Sequence, residues 1–320
     1  MEKLTTKELY NVNRINIPME TLGFGDLIQE MIPTAGTPVN AVAASEVLTV
    51  SGVVIDGETV VIDNPAVDDS DTYEFCADAA QSVTTEGNIP VDITASVTAS
   101  SNTLTVDTNP TAGDTMTLGG EEYTFVPADT ASAQGQIDLG VDVAATQVNI
   151  VAAVNGTDEV NTANASVSLG DFASDDSTVT ALVGGTAGDA IDTTETFTAG
   201  TNVFSGATLG SGADCTAANA ITALVSAMTA SDTQGVGGAD GAGDTVAVTA
   251  DVKGVIGNAI EVSETMANGA FGDTEMSGGV DGTVGGFGER YIDDTYEYIA
   301  TADNTIADAN WVRRSIGSTF

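Results

Sequence analysis

The spacing of apolar residues in 141–155 predicts one amphipathic helix. Val141, Ala144, Ala145, Val148, Val151, Ala152 and Val154 recur mostly at i, i+3, i+4 and i+7, a face expected to turn toward a sheet. Residues 213–228, ADCTAANAITALVSAM, have the same character and predict a second helix. Elsewhere the pattern shortens to strand lengths. Strands are predicted near residues 89–93, 136–139, 177–183 and 244–250. Asp56-Gly57 and Ala112-Gly113, each flanked by β-branched residues, predict hairpin turns.

The elements fall into a repeat. Residues 47–75, VLTVSGVVIDGETVVIDNPAVDDSDTYEF, and residues 103–125, TLTVDTNPTAGDTMTLGGEEYTF, both run L-T-V, then G-[ED]-T, then Y-x-F. Two related tails follow in succession, one from Gly185 and one from Gly254. The order head, head, tail, tail is explained without crossing connections if one whole unit is inserted in the other. Such an insertion costs little, because closure entropy grows slowly with loop length. The alternative is that the halves swap partners. The contiguous inner copy favours nesting.

The expected fold class is α+β, mostly β. It comprises two small antiparallel β units with one helix each, one inserted in the other. The expected segments are an N-terminal docking arm (1–45), an outer split unit (46–100 and 212–284), an inserted inner unit (101–211) and a C-terminal aromatic and basic module (285–320) containing a β-hairpin.

Charge narrows the function classes. The chain carries a net −40, and residues 46–284 hold 36 of the 47 acids but one of the seven bases, net −35. Such a surface repels nucleic acid and anionic membranes, so neither is expected as a partner. The acids also keep a surface rich in Gly, Ala and Val in solution. No stretch is apolar enough to span a bilayer, and MEKLTTKELY lacks the apolar core of a signal peptide, so cytosolic synthesis is expected.

The reactive chemistry is sparse. The sequence has no His, which removes the commonest general base and metal ligand. No cofactor and no metal site is expected. Asp68, Asp69 and Asp71 resemble the start of a calcium loop but lack its glycine and closing glutamate. The run GVGGADGAGD, residues 235–244, occurs once and reads as a mobile loop rather than a stacked calcium repeat. Cys76 and Cys215 each align with a Val in the sister copy, Val126 and Val143. They read either as two core thiols or as a disulfide tying the split unit together.

The two ends differ from the repeats. In the arm, Leu22, Phe24, Leu27, Ile28, Met31 and Ile32 form a dense apolar cluster, accompanied by Lys3, Lys7 and Arg14. In the C-terminal module, Tyr296 and Tyr298 alternate with polar residues, and Trp311-Val312-Arg313-Arg314 reads as the return strand of a hairpin. The arm has net charge −2 and the module −3, so self-repulsion is weakest there and docking is expected there. Arg14, Arg290, Arg313 and Arg314 would pair with carboxylates, and Leu22, Phe24, Leu27, Ile28, Met31, Tyr296, Tyr298 and Trp311 would supply contact area.

The heads, with the tails G-T-A-G-D-A-I-x-T-T-E-T and A-T-L, resemble a repeat module of tailed-bacteriophage structural proteins. The closing D-D-T-Y-E-Y-I-A-T-A-D-N-T and N-W-V-R-R resemble a short C-terminal module of phage head-fibre and decoration proteins. Together the resemblances cover most of residues 46–320. They imply a non-enzymatic virion protein that decorates or cements the outer surface of a capsid. Its partners would be the major capsid protein and copies of itself, as a dimer or trimer. It would occupy the host cytoplasm during assembly. The alternative is a tail, baseplate or fibre component contacting the host. A virion depolymerase is a third class, disfavoured by the missing His and scarce aromatics.

Overall fold

The computed structural model describes residues 34–67, 69–231, 235–303, 305 and 310–316. In chain order the strands begin with β1 (Thr34–Ala35), β2 (Ser45–Val50), β3 (Thr59–Asn64), β4 (Asp69–Cys76) and β5 (Ile89–Asp92). The next are β6 (Ser101–Thr105), β7 (Thr115–Leu118), β8 (Glu121–Val126), β9 (Gln136–Asp138), β10 (Val167–Leu169), β11 (Asp176–Ala181), β12 (Thr193–Glu195) and β13 (Val203–Phe204). The last are β14 (Val236–Asp240), β15 (Thr245–Ala250), β16 (Glu261–Glu264), β17 (Gly269–Phe271), β18 (Arg290–Ile292), β19 (Tyr296–Ala300) and β20 (Trp311–Ser315). Two α-helices, α1 (Val143–Val154) and α2 (Ala217–Ser231), accompany them. The protein is α+β and mostly β.

Two pairs of four-stranded sheets repeat one topology. The inner copy has the orders β10-β11-β6-β13 and β12-β7-β8-β9, and the outer copy has β14-β15-β2-β17 and β16-β3-β4-β5. The equivalent parallel steps are β8–β9 and β4–β5. Leu104, Met116, Tyr123 and Phe125 of the inner copy take the places of Leu48, Val60, Tyr73 and Phe75, and all eight are buried. The inner core draws on both sheets and on Ile150, Ala153 and Val154 of α1. Truncating either buried Phe to Ala is expected to cost about 3–5 kcal/mol.

The G-[ED]-T motif has a structural reason. Gly57 and Gly113 sit at φ +80° and +96°, where a side chain is strained. The acid that follows is buried and stitches the turn to the tail. Glu58 accepts from Ile55 N at 3.0 Å and Ala267 N at 2.7 Å. Asp114 accepts from Thr111 N at 2.8 Å and Thr198 Oγ1 at 2.9 Å. These turns are not hairpins, contrary to the sequence expectation. The strands on either side enter different sheets, and the hairpins are β3–β4 and β7–β8.

Helix α1 also departs from its predicted face. Asp142 caps it by accepting from Ala145 N, and it ends before Gly156 at φ +62°. The buried side is Thr146, Gln147, Ile150, Ala153 and Val154, whereas Val141 is 94% exposed and Val148 67%. Two polar side chains fix this rotation. Thr146 Oγ1 donates to Asn109 Oδ1 at 2.5 Å and accepts from Gly140 N at 2.7 Å, and Gln147 Nε2 donates to Val106 O at 2.8 Å. In α2 the buried residues are Ala220, Ile221, Leu224 and Met228, the counterparts of Thr146, Gln147, Ile150 and Val154.

The chain forms two compact units. One holds Ser45–Thr249 and Ala259–Met276, and therefore the whole inner repeat and most of the outer one. The other holds, among the described residues, 34–44, 250–258 and those from Ser277 onward. Within the first unit the inner copy joins the outer through two antiparallel strands. Thr98 pairs with Ala213 and Ser101 with Gly210. Asp214 reinforces the joint by accepting from Thr186 N at 2.7 Å and Thr186 Oγ1 at 2.8 Å. The run 235–244, expected as a loop, instead supplies β14, with Gly241 N bonded to Thr245 O.

Candidate docking site

The C-terminal module is the sheet β1-β18-β19-β20, in which β1 runs parallel to β18 and the other pairs are antiparallel. The predicted hairpin is β19–β20, with Tyr298 opposite Arg313 and Ala300 opposite Trp311. Tyr298 and Ala300 are buried. The Trp311 ring meets Tyr291 edge-on with centroids 5.1 Å apart, and Trp311 Nε1 donates to Thr283 O at 3.2 Å.

The expected cations are brought together here. Arg290 and Arg314 both pair with Glu297, whose side chain is almost fully buried. Arg313 lies over the Tyr296 ring, 4.7 Å from its centroid, and Tyr296 meets Tyr298 at 6.2 Å. Arg290 and Arg314 therefore serve the module's own fold, although the Arg314 side chain remains 66% exposed. Among the described residues of this module, Phe287 at 73% and Val312 at 58% are the large apolar side chains most open to solvent. Arg14, Leu22, Phe24, Leu27, Ile28 and Met31 lie outside the described residues.

Asp293 organises the turn before β19, a role the sequence reading missed. It accepts from Thr295 N and Tyr296 N at 2.7 Å each, and from Thr37 Oγ1 and Tyr298 Oη at 2.8 Å each. The backbone bonds from Thr295 and Tyr296 lead in lowering its pKa to about 2. The signal was present in the sequence as Asp-Asp-Thr, an Asx-type turn.

Both cysteines are buried, free thiols. Burial, with the charges of Glu74, Asp56 and Asp78, pushes the Cys76 thiol up to about 11. Burial also raises Cys215. Cys76 does take the position of Val126. Cys215 corresponds to Val141, not Val143, because the buried faces of the two helices set their register. Glu74 is another buried group without a counterpart in the sister copy. Burial acts to raise its pKa, but bonds from Thr84 N and Asn88 Nδ2, both 2.6 Å, hold it below the ordinary range.

Among the described residues, no group of three or more His, Cys, Asp or Glu is placed to hold a metal ion. Asp69 and Asp71 lie on β4, and Asp68 is outside the described residues. No helix among the described residues is long and apolar enough to cross a membrane. No family model, no curated protein and no solved structure matches the chain.

Proposed function

We propose that this chain is a non-enzymatic structural protein of a tailed-phage particle, decorating or cementing the outer surface of the capsid. The observation that carries the reading is the use made of the shared residues. Leu48 and Leu104, Tyr73 and Tyr123, and Phe75 and Phe125 fill cores, while Glu58 and Asp114 tie turns to tails. A module whose repeated residues all serve its fold is a building block. The head, tail and C-terminal motifs, which resemble phage structural modules, supply the location.

In this reading the acidic repeats project and the terminal segments attach. The partners are the major capsid protein and sister copies, met in the host cytoplasm during assembly. The exposed Phe287 and Val312 and the stacked Arg313 offer a small mixed contact surface, alongside the arm outside the described residues. The experiment is quantitative protein analysis of purified particles together with particle imaging. Hundreds of copies over the capsid surface are expected. A few or tens of copies confined to the tail would overturn the reading in favour of a tail component. Turnover of host polysaccharide by the purified chain would overturn its non-enzymatic part.

A further inference from the structure

We infer that the outward face of α1 is a docking surface for a cationic, apolar segment of another protein. The inference stands apart from the virion reading. The surface is a groove of about 600 Å³ in the inner copy. Its floor is Ala144, Val148, Val151 and Ala152 of α1 with Gln147 beside them, and Thr157, Asp171 and Phe172 complete the lining. Val148 is 67% exposed, and Val141 at the adjoining tip of the helix is 94% exposed. Leaving such side chains in water forfeits the stabilisation that full burial would supply.

The outer copy supplies an internal control. Shared buried positions align α2 with α1, so Val148 corresponds to Thr222, Ala152 to Ser226 and Phe172 to Gly241. The same module thus folds with Thr and Ser at two of the four floor positions, Ala218 and Val225 at the other two, and no aromatic wall. The architecture therefore does not require Val148, Ala152 or Phe172 at these positions. Cys215, the counterpart of Val141, is buried where the inserted copy joins. In the inner copy that loop receives no further module, and its valine stays open.

Charge selects the occupant. Residues 46–284 carry net −35, so a second copy would bring the same repulsion to the groove. Asp171 stands beside Phe172 in the wall. A segment that sets aliphatic or aromatic side chains against Val148, Val151 and Phe172, and a Lys or Arg against Asp171, satisfies both features.

The test uses the full chain and a short amphipathic Leu/Lys peptide as probe, followed by calorimetry. A Leu/Glu peptide of the same apolar pattern and a scrambled Leu/Lys peptide are the comparisons. The variant Val148→Thr with Ala152→Ser copies the sister helix and should fold normally. The Leu/Lys peptide should bind the parent at least about ten-fold more tightly than this variant, and more tightly than it binds Asp171→Asn. Equal binding to parent and variant would overturn the inference, as would equal binding of either comparison peptide. Self-association of the parent that the variant loses would also overturn it, by making a second copy the occupant.

Discussion

Thr98 and Ala213 exchange two backbone hydrogen bonds, 2.8 Å from Thr98 N and 3.0 Å from Ala213 N. Val42 and Val280 do the same, at 2.9 and 3.1 Å. The likeness extends outward: Ala181 N bonds to Ser100 O as Ala250 N bonds to Ala44 O, both at 2.9 Å. Asp189 accepts from Gly212 N as Asn258 Oδ1 accepts from Gly279 N. Each copy is therefore served by the same two-stranded connector, closed by a G-x-x-G-[DN]-A turn.

The connector sets a pH prediction. Asp189 accepts from Ser100 Oγ at 2.6 Å and Gly212 N at 2.9 Å, and these bonds, Ser100 first, lower its pKa. A lowered folded-state pKa gives stability that is present above the ordinary aspartate range, about 4, and lost as pH falls through the lower folded value. Asp189→Asn reproduces the sister copy. Its melting temperature should fall less than the parent's between neutral pH and acid, whereas Asp189→Ala should melt lower throughout.

Glu74 should behave as a lock on the segment after β4. It is buried and holds Thr84 and Asn88. Glu74→Ala strands those donors, and a loss of about 1–3 kcal/mol is expected. Limited proteolysis should then cut within residues 77–88 of the variant before it cuts the parent.

The thiols should be inert in the folded chain. Cys76 and Cys215 are buried with raised pKa values. Neither should react with an alkylating reagent at mildly alkaline pH until the chain unfolds. A reductant should leave the melting temperature unchanged. A raised folded-state pKa gives stability that is complete below the unfolded thiol pKa, about 8.5, and lost as pH climbs toward the folded value. An alkaline fall in stability that Cys76→Val removes would fit this account.

Glu297 should be the most sensitive residue of the C-terminal sheet. It is buried between Arg290 and Arg314. Glu297→Ala removes the partner of both guanidinium groups, and the exposed position of Arg314 tempers the cost. Amide exchange of Tyr298 and Ala300 should accelerate in the variant. Exchange in the inner repeat core, at Phe125 and Val179, should stay as in the parent.

Much of the repeat was legible because its signals are local. Apolar spacing and turn chemistry predicted strands near residues 89–93, 136–139, 177–183 and 244–250, which are β5, β9, β11 and β15, and both helices. The turns at Gly57 and Gly113 were misread because positive φ and β-branched neighbours also suit a chain crossing between sheets. The face of α1 was misread because Thr146 and Gln147 look solvent-facing until Asn109 and the Val106 carbonyl arrive from distant residues. The Arg290–Glu297–Arg314 cluster was invisible for the same reason, since strand register creates it. Asp293 was readable as a turn former but not as a ligand of Thr37, which lies 256 residues away.

The nested repeat is tested most directly by isolating residues 97–214. This segment keeps the Thr98–Ala213 connector, both inner sheets and α1. Nuclear magnetic resonance of the fragment should give dispersed amide signals. Protected amides should appear at Phe125 and Val179, and unfolding should be a single cooperative transition. A collapsed spectrum without protection, recovered only when residues 45–96 and 215–276 are supplied, would contradict the claim that one complete copy sits inside the other.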